Sequence, residues 1–314
     1  MSARTLRIAT RQSPLALTQT RHVMDLLQRA NPDCRFELLP IRTTGDATQG
    51  KPLAGFGGVG VFVKELEISL RDKSADIAVH SLKDVPSTIA EGMVLAAFPE
   101  RENPCDVLLT PDSRVLMDIP QGARIGTGSP RRIVQLRSLR PDFRFEGIRG
   151  NVDTRIRKMH EGQYDGIMLA AAGLTRLGIA FADSTVLTTR QCTPACGQGI
   201  LGIECRADDA GAFAAVNRIN NPAIEVEATV ERDFMRHVGA GCATPVAAIA
   251  RVTGARVTAS AMGGDVSTGA IARVDIDVAS DAFRDAGTML ADKLLALCAQ
   301  RGISFTRESD KEAQ

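Results

Sequence analysis

The sequence predicts an α/β protein: two like-folded lobes of strands and helices, followed by a small α+β domain. Three observations carry this reading. Short apolar runs alternate with helical periodicity over the first two-thirds of the chain. A strand, a Ser-Pro pair with an arginine beside it, and a helix follow one another twice, at Ser13-Pro14 and at Ser129-Pro130. From Pro222 onward the grammar changes to a helix, three alternating β-branched runs and a closing helix. At 314 residues the chain is too long for one typical core, so two or three domains are expected.

The first lobe opens with a strand at Leu6–Thr10. Ser13 is a natural N-cap and Pro14 a natural first helical residue for the amphipathic run that follows. The free N–H groups of that helix start, with Arg11 beside them, form a candidate anion site. Phe36–Ile41 reads as the next strand. Gly55–Gly60 (GFGGVG) reads as a mobile loop, a candidate lid, without the Lys-Ser/Thr that a phosphate loop requires. A helix over Val61–Asp72 leads to a strand at Ala75–Val79. That strand delivers the segment Ala78–Pro86 (AVHSLKDVP), with His80, Ser81, Lys83 and Asp84, to the strand end where open α/β sheets bind ligands. The second lobe repeats the plan. A strand at Ala123–Gly126 runs into Thr127-Gly128-Ser129-Pro130-Arg131-Arg132 and a helix, and a helix over Asn151–Glu161 feeds a strand at Asp165–Leu169.

Two seams rich in Pro, Gly and charge, Pro99–Cys105 and Thr193–Gly199, separate these regions, and a strand-like run at Ile200–Cys205 follows the second. The chain therefore leaves the first lobe and returns to it. Residues 1–99 with 200–217 form the first lobe, 105–193 the Arg-rich second lobe, and 222–314 the third domain. Two crossings are the plan of a clamshell binding protein, with periplasmic-binding-protein-like lobes and a ligand cleft between them. In the third domain, a helix over Pro222–Val238 and a tight loop at Gly239–Pro245 precede strands at Val246–Val252, Arg256–Ala261 and Ala270–Val278. A helix over Asp281–Gln300 and a frayed polar tail after Thr306 end the chain.

Composition narrows the function. With 44% apolar and 24% charged residues the chain is globular, and no apolar run approaches a membrane span. The N-terminus lacks a signal pattern, so a cytoplasmic protein is expected. Seven cysteines, an odd number, argue against a disulfide framework, and none has metal-ligand spacing. A net charge of +1 argues against nucleic acid as a partner. The distribution of charge says more. Of 38 basic residues 31 are arginine, and Arg124 to Lys158 holds ten basic residues against three acids. Arginine's rigid fork pairs two-point with carboxylates. Read from the residues alone, the chain is either an enzyme acting through Asp84 or a non-catalytic two-lobed binder of a small anion.

The residues then match a family. The stretches LRIATRQSPLAL (6–17), VFVKELE (61–67), DIAVHSLKDVP (76–86), GTGSPRR (126–132), RGNVDTR (149–155), LAAAGLTRLG (169–178), GQGILGIECR (197–206) and GCATP (241–245) resemble the porphobilinogen deaminase (hydroxymethylbilane synthase) family from end to end. The resemblance implies a transferase that joins four porphobilinogen units head to tail with loss of ammonia, on a covalently attached dipyrromethane primer, and releases the linear tetrapyrrole with water. It implies Asp84 as the catalytic carboxylate and Cys242 as the thioether attachment. Ser81, Lys83, Thr127, Ser129, Arg131, Arg132 and Arg155 would hold the cofactor, and Arg11, Ser13, Arg149 and Arg176 would face substrate. It further implies a monomer of porphyrin and heme biosynthesis with no metal, membrane or nucleic-acid partner, whose product passes to uroporphyrinogen-III synthase. The chain departs from the family pattern at Gly55 and Val59, where lysines are common, and at Gly128 and Pro130, where Ser and Leu are more usual. An acidic residue that often precedes the glycines of the cysteine loop is also absent.

Overall fold

The computed structural model describes residues 4–42, 63–239, 241 and 244–305. The Gly55–Gly60 loop with Gly55 and Val59, the attachment residue Cys242, and the tail after Thr306 lie outside the described residues.

In chain order, β1 (Arg4–Arg11), α1 (Pro14–Ala30), β2 (Cys34–Ile41), α2 (Lys64–Arg71), β3 (Ile77–Ser81) and β4 (Met93–Ala97) come first, with a single 3-10 turn at Leu82–Asp84. Next come β5 (Asp106–Leu109), β6 (Arg124–Gly126), α3 (Pro130–Leu139), β7 (Arg144–Glu146), α4 (Val152–His160), β8 (Gly166–Ala170), α5 (Ala171–Arg176) and β9 (Thr185–Leu187). The chain continues through β10 (Leu201–Arg206), α6 (Ala210–Asn217), α7 (Pro222–Val238), β11 (Val246–Thr253), β12 (Arg256–Gly264) and β13 (Ile271–Ala279). A 3-10 turn at Ser280–Ala282 leads into α8 (Phe283–Gln300). These pack as two compact units, Met1–Glu102 with Gly199–Glu225, and Asn103–Gln198 with Val226–Gln314.

The first unit is built on a five-stranded sheet of order β2-β1-β3-β10-β4. β1 runs parallel to β2 and β3, and β10 runs antiparallel to β3 and β4. Both faces are covered, which is why these strands read as unbroken apolar runs. Ile8, Ile77, Val79 and Ile203 pack with Val23 and Leu27 of α1. Ala9 and Ala78, on the other face, meet Leu66 and Leu70 of α2. Each fully buried Leu or Ile contributes about 1.5–3 kcal/mol.

The second unit carries a sheet of order β7-β6-β8-β5-β9, with β6 parallel to β7 and β8, and β5 antiparallel to β8 and β9. It also holds the antiparallel meander β11-β12-β13, packed with α7 and α8 around Phe234, Leu290 and Leu294. Arg273 of β13 reaches Thr193 Oγ1 at 2.8 Å and Gln135 Oε1 at 3.1 Å, fastening the meander to the second lobe.

The two seams also meet. Glu102 N donates to Gly199 O at 3.1 Å, and Gln198 Nε2 donates to Pro104 O at 2.6 Å. Gly199 has φ 91°, and any Cβ there would collide with Glu102 O, so only glycine serves. Four strands escape the sequence reading: β4, β5, β7 and β9. Each has three to five residues, too few to display a period.

Candidate functional site

In the first unit the site residues gather at the carboxyl edge of neighbouring parallel strands. β1 ends in Arg11, and β3, in register through Ile8↔Ile77 and Ala9↔Ala78, ends in Ser81. Ser13 caps α1 as expected: its Oγ accepts from Ala16 N at 3.3 Å, with Pro14 in the first turn. Buried Thr20 donates to Thr10 Oγ1 at 2.7 Å, pinning α1 to the end of β1.

The segment after β3 is held tightly. Leu82 N donates to Ile200 O at 3.0 Å and Val85 N to Leu82 O at 3.1 Å, closing the 3-10 turn that presents Lys83 and Asp84. Leu82 is buried and anchors the turn, while Lys83 and Asp84 are half-buried. Among the described residues no hydrogen bond or ion pair engages the Asp84 carboxylate. Ser81 Oγ accepts from Gln19 Nε2 of α1 at 3.0 Å. On the other face of the strand, His80 Nε2 lies 2.9 Å from Glu204 Oε2 of β10.

In the second unit the same sheet edge carries a different arrangement. Thr127 follows β6, its N–H on Glu146 O at 2.8 Å and its Oγ1 accepting from Ser129 N at 3.2 Å. Ser129 occupies the N-cap position of α3 but makes no side-chain cap bond. Arg131 and Arg132 turn inward onto Asp106, which opens β5 opposite Ala170. Arg131 Nη1 reaches Asp106 Oδ2 at 2.6 Å and Thr193 O at 2.8 Å. Arg132 reaches Asp106 Oδ1 through Nε at 3.1 Å and Nη2 at 2.7 Å, and Met168 O through Nη1 at 2.9 Å. Gln198 Nε2 adds a bond to Asp106 Oδ1 at 3.1 Å, and Cys192 Sγ one to Oδ2 at 3.4 Å.

Burial by itself would raise the Asp106 carboxyl. The two guanidinium charges outweigh it and hold the group well below the ordinary carboxylate range. The Cys192 thiol is pushed up to about 12, first by burial and then by the Asp106 charge, so it stays protonated and inert. Two buried cations share one carboxylate, and the cluster keeps one positive charge in excess. Such an excess of charge at low dielectric is felt strongly by any group beside it.

The remaining arginines spread along this unit. Arg149 is exposed, in the turn before α4, and its carbonyl accepts from Lys158 Nζ at 3.1 Å. Arg155 of α4 returns its Nε to Gly150 O at 2.8 Å. Arg176 is half-buried at the end of α5. The structure thus brings Arg131 and Arg132 together on one acid, joins Thr127 to Ser129, and sets Arg11 and Ser13 at the edge that carries Ser81, Lys83 and Asp84. Arg149 precedes α4, Arg155 lies within it, and Arg176 lies on a separate helix. The sequence reading missed Asp106, Gln198, Gln19 and Glu204. Asp106 and Glu204 left a signal: each is an acid attached to an apolar run, and an acid buried there must find a partner.

Comparison with known proteins places the chain in a family. A family model described as "Porphobilinogen deaminase, dipyromethane cofactor binding domain" matches residues 6–214, and one described as "Porphobilinogen deaminase, C-terminal domain" matches residues 225–296. The porphobilinogen deaminase of Syntrophus aciditrophicus (strain SB) is 43% identical over 290 residues, 92% of this chain and 95% of the relative. That of Syntrophotalea carbinolica is 43% identical over 301 residues, 96% of each chain. That of Ruthia magnifica subsp. Calyptogena magnifica is 41% identical over 301 residues, 95% of this chain and 98% of the relative. Among solved structures, the BvgS periplasmic VFT2 domain of Bordetella pertussis gives a TM-score of 0.42 at 16% identity, covering 68% of this chain and 86% of that one. The periplasmic sulfonate-binding protein SsuA of Methylobacillus flagellatus KT gives 0.40 at 13% identity, covering 74% of this chain and 68% of that one. By the two family matches and the near-full-length relatives, the chain belongs to the porphobilinogen deaminase family.

Proposed function

We propose that this chain is a transferase with hydroxymethylbilane synthase activity. It condenses four porphobilinogen units head to tail with loss of ammonia on a dipyrromethane primer, and releases the linear tetrapyrrole with water. The observation that carries the reading is the pair of buried guanidiniums, Arg131 and Arg132, set against the single carboxylate of Asp106. It lies inside the part of the chain that matches a dipyrromethane-binding domain. The fit is chemical: the primer bears acetate and propionate groups, and the cluster has one positive charge to offer.

When bound, the primer supplies a nucleophilic pyrrole carbon. The chain's own residues do the rest. Cys242 holds the primer by a thioether. Thr127, Ser129, Arg131, Arg132 and Arg155, with Ser81 and Lys83, take its carboxylates, each charge-assisted bond contributing roughly 1.5–3 kcal/mol. Arg11, Ser13, Arg149 and Arg176 receive incoming porphobilinogen. Loss of ammonia makes a cationic pyrrole, and Asp84 offers a carboxylate to its ring N–H, stabilising charge as it develops and holding the proton that moves. We read residues 222–314 as the cofactor-attachment domain and the protein as a cytoplasmic monomer whose product passes to uroporphyrinogen-III synthase. No helix among the described residues is long and apolar enough to cross a membrane.

Intact-mass measurement of the purified protein tests the reading. The expected mass exceeds the sequence mass by one dipyrromethane, with a positive Ehrlich colour, and Cys242→Ala removes both. An unmodified, colourless protein that still binds small carboxylates would favour a non-catalytic anion binder instead. Asp84→Asn is expected to keep the added mass while turnover falls by about 10²–10⁴-fold.

A further inference from the structure

We propose that the buried His80–Glu204 pair is a positioning device for the turn that carries Asp84, an inference that rests on the assignment of Asp84 made above.

The argument starts from the alternation of a strand. Successive side chains of β3 point to opposite faces of the sheet. Ser81, its last residue, is fastened to Gln19 of α1 on one face. His80, one residue earlier, is fastened to Glu204 of β10 on the other. The two residues that lead into the Leu82–Asp84 turn are therefore each tied by a side-chain hydrogen bond, and to different elements. The turn itself adds a backbone bond from Leu82 N to Ile200 O, the residue that precedes β10. Strand β10 thus grips the turn twice, once through its backbone entry and once through Glu204.

The register explains the reach. Gly202 stands opposite His80 and Glu204 opposite Ala78, so the pair is a diagonal one that long side chains can span. His80 is 5% exposed and Glu204 0%. Among the described residues Glu204 Oε1 has no hydrogen-bond partner. A buried carboxylate with one oxygen unpartnered is an expensive way to hold two strands together, and apolar side chains of similar volume would serve stability as well or better. Directionality is what the pair has and an apolar pair lacks. It fixes the His80 ring, and with it the backbone two residues before the turn. Misplacement of a catalytic group by about 1 Å costs on the order of 10²-fold in rate.

The decisive variant is the double substitution His80→Phe with Glu204→Leu, studied as the cofactor-loaded enzyme. The expected protein melts no lower than wild type and carries the full cofactor mass. Its kcat is reduced tenfold or more, with KM within twofold. Glu204→Gln, which keeps an acceptor for His80 Nε2, should retain most of the wild-type kcat. In an Asp84→Asn background the double substitution should add no further loss. A folded, loaded double variant with wild-type kcat overturns the inference and leaves Asp84 untouched. Near-normal turnover of Asp84→Asn alone overturns the reading beneath it. If the double variant does not fold, Glu204→Met replaces it, with the same expected tenfold loss, the same rescue by Glu204→Gln, and the same overturning result.

Discussion

The two five-stranded sheets share one plan and differ in how they treat a buried acid. In each, three parallel strands are followed in the sheet order by an antiparallel strand that the chain lays down on crossing between units, β10 in the first and β5 in the second. Each crossing strand carries one carboxylate at 0% exposure, Glu204 and Asp106. Asp106 has both oxygens engaged, by two guanidiniums, an amide and a thiol. Among the described residues Glu204 has one histidine and an oxygen left over. The second lobe uses its acid to set two cations in place and keeps a charge in excess. The first uses its acid to hold a strand end that presents a different carboxylate, Asp84. One topology therefore carries two opposite electrostatic arrangements, an acid enclosed by two cations and an acid paired with a single histidine.

The largest expected effect separates these roles by stability. Asp106→Asn leaves two buried guanidiniums without their counter-charge, and truncating one member of such a network costs about 3–5 kcal/mol. Glu204→Gln keeps the bond to His80 and removes a charge, so its cost should stay within about 1 kcal/mol. Denaturant titration of the two variants checks the contrast, and equal losses would mean that the two acids play one role. The pH dependence has a definite sign. Asp106 titrates far lower in the folded protein than in the unfolded chain. Its contribution is therefore complete above the unfolded value of about 3.9 and is lost only as pH falls toward the depressed native value. Asp106→Asn should accordingly flatten the acid limb of the stability curve.

Much of this plan was legible in the sequence because it is local. The Ser13-Pro14 helix start, the strand ends beside it and the helix over Pro222–Val238 follow from neighbours within a few residues. The third domain's three strands were found because each is long enough to alternate. The Asp106 cluster was not legible, since its partners lie 25, 26, 86 and 92 residues away. Arg131 and Arg132 were read as ligand-facing. In the structure each meets an internal carboxylate, Asp106. His80 stands in the Ala78–Pro86 segment without an evident role, because its partner Glu204 is 124 residues distant.

The two Ser-Pro helix starts look alike in sequence and differ in space, which gives the next test. Ser13→Ala removes a cap bond and should cost about 1 kcal/mol of stability. Ser129 makes no such bond, so Ser129→Ala should change stability by less than about 0.5 kcal/mol. If Ser129 instead serves the cofactor, its removal should lower the fraction of protein that carries the added mass. Thermal melts paired with intact-mass spectra distinguish the two, and an equal stability loss at both serines would return Ser129 to a purely structural role.

The smallest effect probes the unpartnered side of the first lobe's acid. Glu67 of α2 accepts from Ala90 N at 3.3 Å and sits near Glu204, His80 and Arg71. Its carboxyl is raised above the ordinary value by burial first and by the Glu204 charge second, while the Ala90 bond, His80 and Arg71 act in the opposite direction. A raised acid binds its proton more tightly folded than unfolded, so stability declines as pH climbs from the unfolded value, about 4.3, through the native one. Glu67→Gln cannot ionise and keeps an acceptor for Ala90. It should therefore be slightly more stable than wild type at pH 7, with the advantage vanishing near pH 4. In a Glu204→Gln background that advantage should shrink, because the second cause of the raised pKa is gone. Denaturation curves of the four proteins at pH 4 and pH 7 measure the coupling, and an advantage unchanged by Glu204→Gln would show that burial alone perturbs Glu67 and that the charge on Glu204 is not felt there.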